Sequence, residues 1–315
     1  MKWNFAVKAL LCLVTSCIGI ARAGDTSWED LKDDVSRQTL FIDEVIPAKL
    51  AEEKDNPSAP KDFALPKEFV FPDDAKFDKV EKKARGDVIF GIDVSHWTGN
   101  IKFHNLALQE VDFVYVKATQ GTKFKDGMFG KYWADLGKLD GDKKVYRGAY
   151  HFLTANDDVV EQANRFVEFL ALHGGIGAGD MPPCLDLEWD RTSTNPDRWA
   201  GQDAAKIIEK ARTWLEIVEQ KTKRTPIIYT ARSWWKSRKI DEKLLTKLDR
   251  YHIWIADYST SHKAVEKPAI INGKTQKLWQ FADDANVTTG YKSGLDANIY
   301  YGTRASFEQD FGITQ

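Results

Sequence analysis

Within Pro182-Pro183-Cys184-Leu185-Asp186-Leu187-Glu188-Trp189-Asp190, two carboxylates stand two residues apart at the end of a short apolar run. Side chains of a β-strand alternate between faces, so Asp186 and Glu188 project to one side, with Cα atoms roughly 6.6 Å apart. Two acids sharing a face cannot both ionise cheaply. Their repulsion raises the pKa of one of them, as a group that must protonate a leaving oxygen near neutral pH requires. A strand end carrying two solvated acids has the same local sequence, so the elements around the pair must decide between the two.

Those elements begin near residue 87. Strand patterns run over Val88 to Ser95, Asp112 to Ala118, Tyr146 to Leu153, Pro183 to Glu188, Pro226 to Thr230, His252 to Tyr258, Lys277 to Phe281 and Leu295 to Tyr300. Between them, Asp157 to His173 reads as a helix with Val160, Ala163, Phe166, Val167 and Leu170 near 3.6 spacing. Gln202 to Thr222 is a second, with Ala205, Ile208, Ala211, Leu215 and Val218 on its buried side. Shorter helices fit Ile101 to Glu110 and Glu242 to Leu248.

Alternating strands and helices predict an α/β fold. Asp93, His151, Asp186, Glu188 and Asp257 all fall at or near carboxyl ends of strands, where a (β/α) barrel assembles its site. The expectation is therefore an irregular, TIM-like barrel over 87–315. Its last strands follow one another too closely for crossover helices, so loops should join them and some should pair antiparallel.

Here the chain resembles glycoside hydrolase family 25 lysozymes. The resemblance rests on Gly91-Ile92-Asp93-Val94-Ser95, Val116-Lys117-Ala118-Thr119-Gln120-Gly121, Gly148-Ala149-Tyr150-His151-Phe152 and Asp186-Leu187-Glu188, in that order. Pro226-Ile227-Ile228-Tyr229-Thr230, Trp254-Ile255-Ala256-Asp257-Tyr258, Trp279-Gln280-Phe281 and Leu295-Asp296 continue it. The resemblance implies an N-acetylmuramidase acting on peptidoglycan glycan strands, at the β-1,4 bond between N-acetylmuramic acid and N-acetylglucosamine. It further implies Glu188 as general acid, Asp186 as its partner, and Asp93 and Asp296 as the other acids of the cleft. Asp296 opens its strand, so it suits this role only if that strand runs antiparallel to its neighbours. Asp257 is expected as a rim acid.

The chemistry also follows from general requirements. Cleaving a glycoside needs a protonated carboxyl beside the leaving oxygen and a means of stabilising positive charge at the anomeric carbon. The second role stays open, because Cα spacing does not separate the ~5–5.5 Å of a carboxylate nucleophile from the ~6.5–9.5 Å of inversion. A 2-acetamido substrate also carries its own carbonyl nucleophile, whose amide Asp186 would orient. Two other readings stay open at this stage: a chitinase-like barrel glycosidase, and a peptidoglycan-binding protein without catalysis.

Other residues have two readings each. Lys117 in an apolar strand is expected to pair with a barrel acid, for stability or for substrate contact. Tyr150, Tyr229, Trp254 and Trp279 could line sugar subsites or pack the core. His151 reads better as a satisfied core histidine. Trp97, Trp189, Trp199, Trp234 and Trp235 fall in loop or helix-entry positions.

Composition narrows the partners. A net charge of -2 with no basic tract argues against nucleic acid. The six histidines show no ligand spacing, so no metal or other cofactor is expected. Gly175-Ile176-Gly177-Ala178-Gly179 follows a helix and precedes a strand, which makes it a helix stop rather than a phosphate cradle. Cys184 reads as a small buried hydrophobe.

At the amino end, Lys2 and Lys8 precede an apolar stretch from Ala9 to Ala21, shorter than the ~20 residues of a membrane span. Ala21-Arg22-Ala23 completes a signal-peptide pattern over 1–23 and predicts a secreted or periplasmic chain beginning at Gly24, without a membrane span. Lipidation at Cys17, after Val14-Thr15-Ser16, is the competing possibility. Residues 24–86 are charged and contain scattered prolines, as expected of a linker or loosely packed arm.

Overall fold

A computed structural model describes residues 69–78, 82–192, 196–259, 267–268, 270–271, 274, 276–287, 291 and 294–314. The signal segment, Cys17 and the arm as far as residue 68 lie outside the described residues. Eight strands form the barrel: β1 (Val88–Val94), β2 (Phe113–Gln120), β3 (Tyr146–Phe152), β4 (Cys184–Asp186), β5 (Ile227–Ala231), β6 (Ile253–Ala256), β7 (Gln276–Ala285) and β8 (Leu295–Tyr301). Around the barrel the order is β1-β8-β7-β6-β5-β4-β3-β2, and β2 pairs back with β1. Every pairing is parallel except those of β8, which runs antiparallel to both β7 and β1. The irregular barrel expected from the strand pattern is therefore present, with its antiparallel element at the end of the chain.

Helices α1 (Phe103–Ala107), α2 (Phe129–Leu136), α3 (Val159–Leu172), α4 (Ala204–Thr222), α5 (Arg232–Ser237) and α6 (Glu242–Leu245) lie between strands, and α7 (Arg304–Asp310) follows β8. Asp158 and Asp203 start the two long helices by accepting from the N–H groups of Glu161 and Lys206, at 2.8 and 3.0 Å. Their buried faces differ from the predicted stripes: Val160 is 45% exposed and Ala205 is exposed, while Phe169 and Trp214 are buried. The rings set the interface. Phe166 meets Trp214 at 5.2 Å, and the Trp214 indole stacks on the His151 imidazole of β3 at 5.5 Å. The α3 helix stops at the predicted place, where Gly174 and Gly175 take positive φ and the Gly175 N–H closes on the Leu170 carbonyl.

Glycines in two motifs make room for interior rings. A Cβ on Gly91 would stand 2.4 Å from the Phe113 ring, and one on Gly148 would stand 2.4 Å from the Tyr115 ring. At the floor of the barrel, Phe307 of α7 meets Phe113, Tyr146 and Tyr300 at 5.5, 5.6 and 5.2 Å.

Among the described residues no helix covers β8 from outside. Gly91 pairs with Asn298, whose side chain reaches the interior residue Asp93, so the next pair, Phe90 and Ile299, faces outward. Phe71 lies over this surface, fully buried, 5.5 Å from Phe90 of β1 and 5.9 Å from Phe281 of β7. Because β8 lies between those strands, the Phe71 ring spans it. A bond from the Phe71 N–H to the Asn286 carbonyl, 2.7 Å, fixes the segment there. The described end of the proline-containing stretch thus has a specific seat on the barrel.

His151 is a core histidine. Its Nε2 donates to Gln162 Oε1 at 3.1 Å, and its Nδ1 accepts from Thr119 Oγ1 at 2.7 Å, the pattern of a neutral ring. Gln162 is itself oriented by the N–H and the carbonyl of Thr154. Burial pushes the imidazole pKa down to about 3. The unfolded chain binds a proton near pH 6.5 that the folded chain refuses, so this contribution to stability is intact above pH 6.5 and shrinks as pH falls toward 3. Between pH 7 and 4.5 it should amount to roughly 2–3 kcal/mol. Urea unfolding at both pH values should show a smaller loss in a His151→Gln variant; equal losses would assign the acid sensitivity elsewhere.

Candidate active site

The acids assemble at one end of the barrel because of strand direction. Asp93 is one residue from the end of β1, and the antiparallel β8 places its second residue, Asp296, directly across from it in register. An acid that opens one strand thereby joins an acid that closes another. Asp186 ends β4 between Phe152 of β3 and Tyr229 of β5. The Leu187 N–H still bonds the Tyr229 carbonyl at 3.0 Å, and its own carbonyl accepts from Thr230 Oγ1 at 2.7 Å, so the chain is held one residue beyond the strand. Glu188 follows at the start of the loop. Asp93, Asp186 and Glu188 are 2%, 1% and 4% exposed, and Asp296 is half-buried. Solvated strand-end acids would not be sequestered in this way.

A layer of amides and rings supports Asp93. Its Oδ2 accepts from Gln280 Nε2 at 2.7 Å and from Asn298 Nδ2 at 2.9 Å. An indole N–H can only donate, and that of Trp254 donates to Asn298 Oδ1 at 2.8 Å, which forces the Asn298 amide to turn its NH2 toward Asp93. Gln280 Oε1 accepts from the hydroxyls of Tyr229, at 2.7 Å, and Tyr258. The Tyr229 and Trp254 rings meet at 4.8 Å, and Trp254 lies 4.9 Å from Tyr115. Tyr229, in register beside Asp186, and Trp254 are 2% and 1% exposed, so neither leaves a face open to a sugar.

The remaining expected site residues divide between interior and exterior. Lys117 pairs in register with Tyr150, and both are nearly buried. The Lys117 ammonium donates to Gln120 Oε1 at 2.5 Å and stands 5.2 and 5.3 Å from the rings of Phe124 and Phe152. Asp257, expected on the rim, is fully buried just after β6, where its Oδ1 accepts from the Ser259 N–H. Trp279 faces away from its neighbour Gln280. Its N–H donates to the Asp257 carbonyl, and its ring lies against Phe281 on the outer face and lines a lower-edge hollow of about 350 Å³ with Lys277 and Tyr301. Strand alternation sends one of each adjacent pair outward, and in this pair it is the tryptophan.

Gln280 and Tyr258 stand in segments that carry the family resemblance, but the sequence alone assigns no site role to them or to Asn298. Position two from a cleft acid on the same strand was the available signal for Asn298, and a lone amide in an apolar strand was the signal for Gln280. Replacing Gln280 by Leu removes one donor from Asp93 and one acceptor from each of the buried Tyr229 and Tyr258 hydroxyls, at about 1–3 kcal/mol for any buried group left unsatisfied. Turnover should fall about tenfold or more, with a lower melting temperature; unchanged turnover would remove this layer from the catalytic machinery.

The loop carrying Glu188 is pinned two residues on. The Asp190 carboxylate accepts from the Ala155 N–H at 2.6 Å and from Arg198 at 2.9 Å, while its own N–H donates to Asp197 Oδ1 at 2.9 Å. Arg238 pairs with Asp197 at 3.1 Å. Burial pushes the Asp190 carboxyl up to about 6, against the opposing effects of the Ala155 N–H and Arg198.

The model for "Glycosyl hydrolases family 25" matches residues 92–290, which make up more than half of the chain. The chain belongs to glycosyl hydrolase family 25. It is accordingly a glycoside hydrolase. The family match spans Asp93, Asp186 and Glu188, and Asp296 lies just beyond it. Among curated relatives, lysozyme M1 of Streptomyces globisporus is 28% identical over 223 residues, covering 68% of each chain. The N,O-diacetylmuramidase of Chalaropsis sp is 30% identical over 151 residues, 47% of this chain and 68% of that one. Among solved structures, the bacterial lysozyme from Streptomyces coelicolor aligns with a TM-score of 0.60 at 26% identity, covering 72% of this chain and 98% of its own.

Proposed function

We propose that this family 25 hydrolase is an N-acetylmuramidase that cleaves the β-1,4 bond between N-acetylmuramic acid and N-acetylglucosamine in peptidoglycan. The observation that carries the reading is the gathering of three nearly buried carboxylates, Asp93, Asp186 and Glu188, at one end of the barrel. The names of the lysozyme and muramidase relatives point the same way.

Glu188 acts as general acid and gives its proton to the bridging oxygen as the anomeric C–O bond breaks. The carbonyl oxygen of the substrate's 2-acetamido group attacks the anomeric carbon from the opposite face, with Asp186 orienting the amide and balancing its developing positive charge. Water then opens the cyclic intermediate while the Glu188 carboxylate takes its proton, restoring the acid. Two inversions give net retention. Asp93 and Asp296 line the same cleft and bind substrate. Export follows from the amino-terminal pattern and agrees with a wall substrate; the protein works outside the cytoplasm.

Mass spectrometry of products from peptidoglycan and from chitin, with NMR of the first-formed anomer, tests this. Muropeptides with a reducing N-acetylmuramic acid of retained β configuration are expected. Cleavage of chitin alone would replace the substrate assignment, and an α product would overturn the acetamido route.

A further inference from the structure

Among the tryptophans that the sequence places in loops or helix entries, Trp189, Trp199, Trp234 and Trp235 are at most 2% exposed, whereas Trp97 is 51% exposed. Trp97 sits at the mouth of the barrel, four residues past Asp93 and so within about 14 Å of extended chain from it. Leaving half an indole in water forgoes burial that the other four have gained.

The turn that holds Trp97 is unusually well fixed. Ser95 Oγ accepts from the Trp97 N–H at 3.3 Å, and Thr98 Oγ1 accepts from the Ser95 N–H at 3.2 Å. The backbone N–H and Nδ1 of His96 both donate to Asp126 Oδ2 at 2.9 Å. Asp126 is itself buried and receives the Met128 N–H on its other oxygen. The His96 ring then lies 4.8 Å from Trp97 and 5.4 Å from Phe124, so the indole has a backing on one side and solvent on the other.

We propose that Trp97 is a stacking platform for a pyranose ring of the glycan strand, at a position away from the bond that is cleaved. The proposal rests on the muramidase reading for its ligand. The apolar C–H face of a sugar ring matches an indole face, while its hydroxyls stay in water at the open rim. His96 and Asp126 are positioning residues: they fix the ring before the ligand arrives, so little side-chain freedom is lost on binding.

The test is calorimetric binding of soluble, uncrosslinked glycan strands to the full chain carrying Glu188→Gln, which separates binding from cleavage. Adding Trp97→Ala should weaken binding about tenfold, and adding Trp97→Phe should cost less than about threefold. In the otherwise native enzyme, Trp97→Ala should raise KM on the same strands with kcat nearly unchanged. Binding within twofold of the parent for Trp97→Ala, or equal losses for Ala and Phe, overturns the platform; unchanged circular dichroism confirms that both variants fold. Ring-dependent binding in a chain that cleaves no peptidoglycan would sink the muramidase reading and leave the platform standing. Cleavage with ring-independent binding would do the reverse.

Discussion

Glu188→Gln should lower kcat on peptidoglycan by about a thousandfold, within the 10²–10⁴ range for losing a general acid. Gln keeps the size and polarity of the side chain but has no proton to give to a leaving oxygen. The melting temperature should stay close to that of the parent, because Glu188 lies just past β4 and the backbone bonds that hold the strand end belong to Leu187. Asp186→Asn is the companion variant. It retains a hydrogen-bonding group for the substrate amide but removes the charge that balances the cyclic intermediate, so kcat should fall about a hundredfold. Turbidity loss of a wall suspension measures both. A Glu188→Gln enzyme keeping more than a tenth of its activity would exclude Glu188 as the acid, and near-normal Glu188→Gln beside an inactive Asp186→Asn would exchange the two roles.

Phe71→Ala should cost about 3–5 kcal/mol of stability, the range for truncating a fully buried phenylalanine. The ring stands where a crossover helix would cover β8, and its removal exposes the Phe90 and Phe281 faces together. Phe77, a few residues on, is 45% exposed and provides the control: Phe77→Ala should change stability by less than about 0.5 kcal/mol. Equal effects of the two substitutions in urea unfolding at pH 7 would show that the segment merely rests on the surface.

Strand positions were legible because alternating β-branched and aromatic runs are bounded by clear breaks, and parallel pairing needs the intervening helices. The acid pair was legible from its spacing. Register was not. Asp296 depends on the direction of β8, a tertiary property that no local pattern encodes, and only the antiparallel register across from Asp93 brings it to the mouth. Facing was the other gap. Trp279 and Gln280 are adjacent in a strand, and the sequence does not say which of them looks inward; the outcome exchanges a conspicuous ring for an inconspicuous amide. The seat of Phe71 was hidden for a different reason. Charged and proline-containing surroundings suggest a loose arm, yet the Phe71 ring and N–H, beside a bridge from Val70 to Asn286, seat its neighbourhood on the barrel.

The downward course of β8 also governs how the protein can be handled. Val88 pairs with Tyr301, and the Gly302 N–H bonds the Asp87 carbonyl, so the chain enters and leaves the barrel on the side opposite the acids. The α7 helix then runs beneath the floor, and Thr314 is tied to Ala178. A bead, an electrode or a fused wall-binding module attached after residue 314 would hold the enzyme by its base. Its cleft would point away from the support, toward an insoluble substrate that cannot diffuse to meet it.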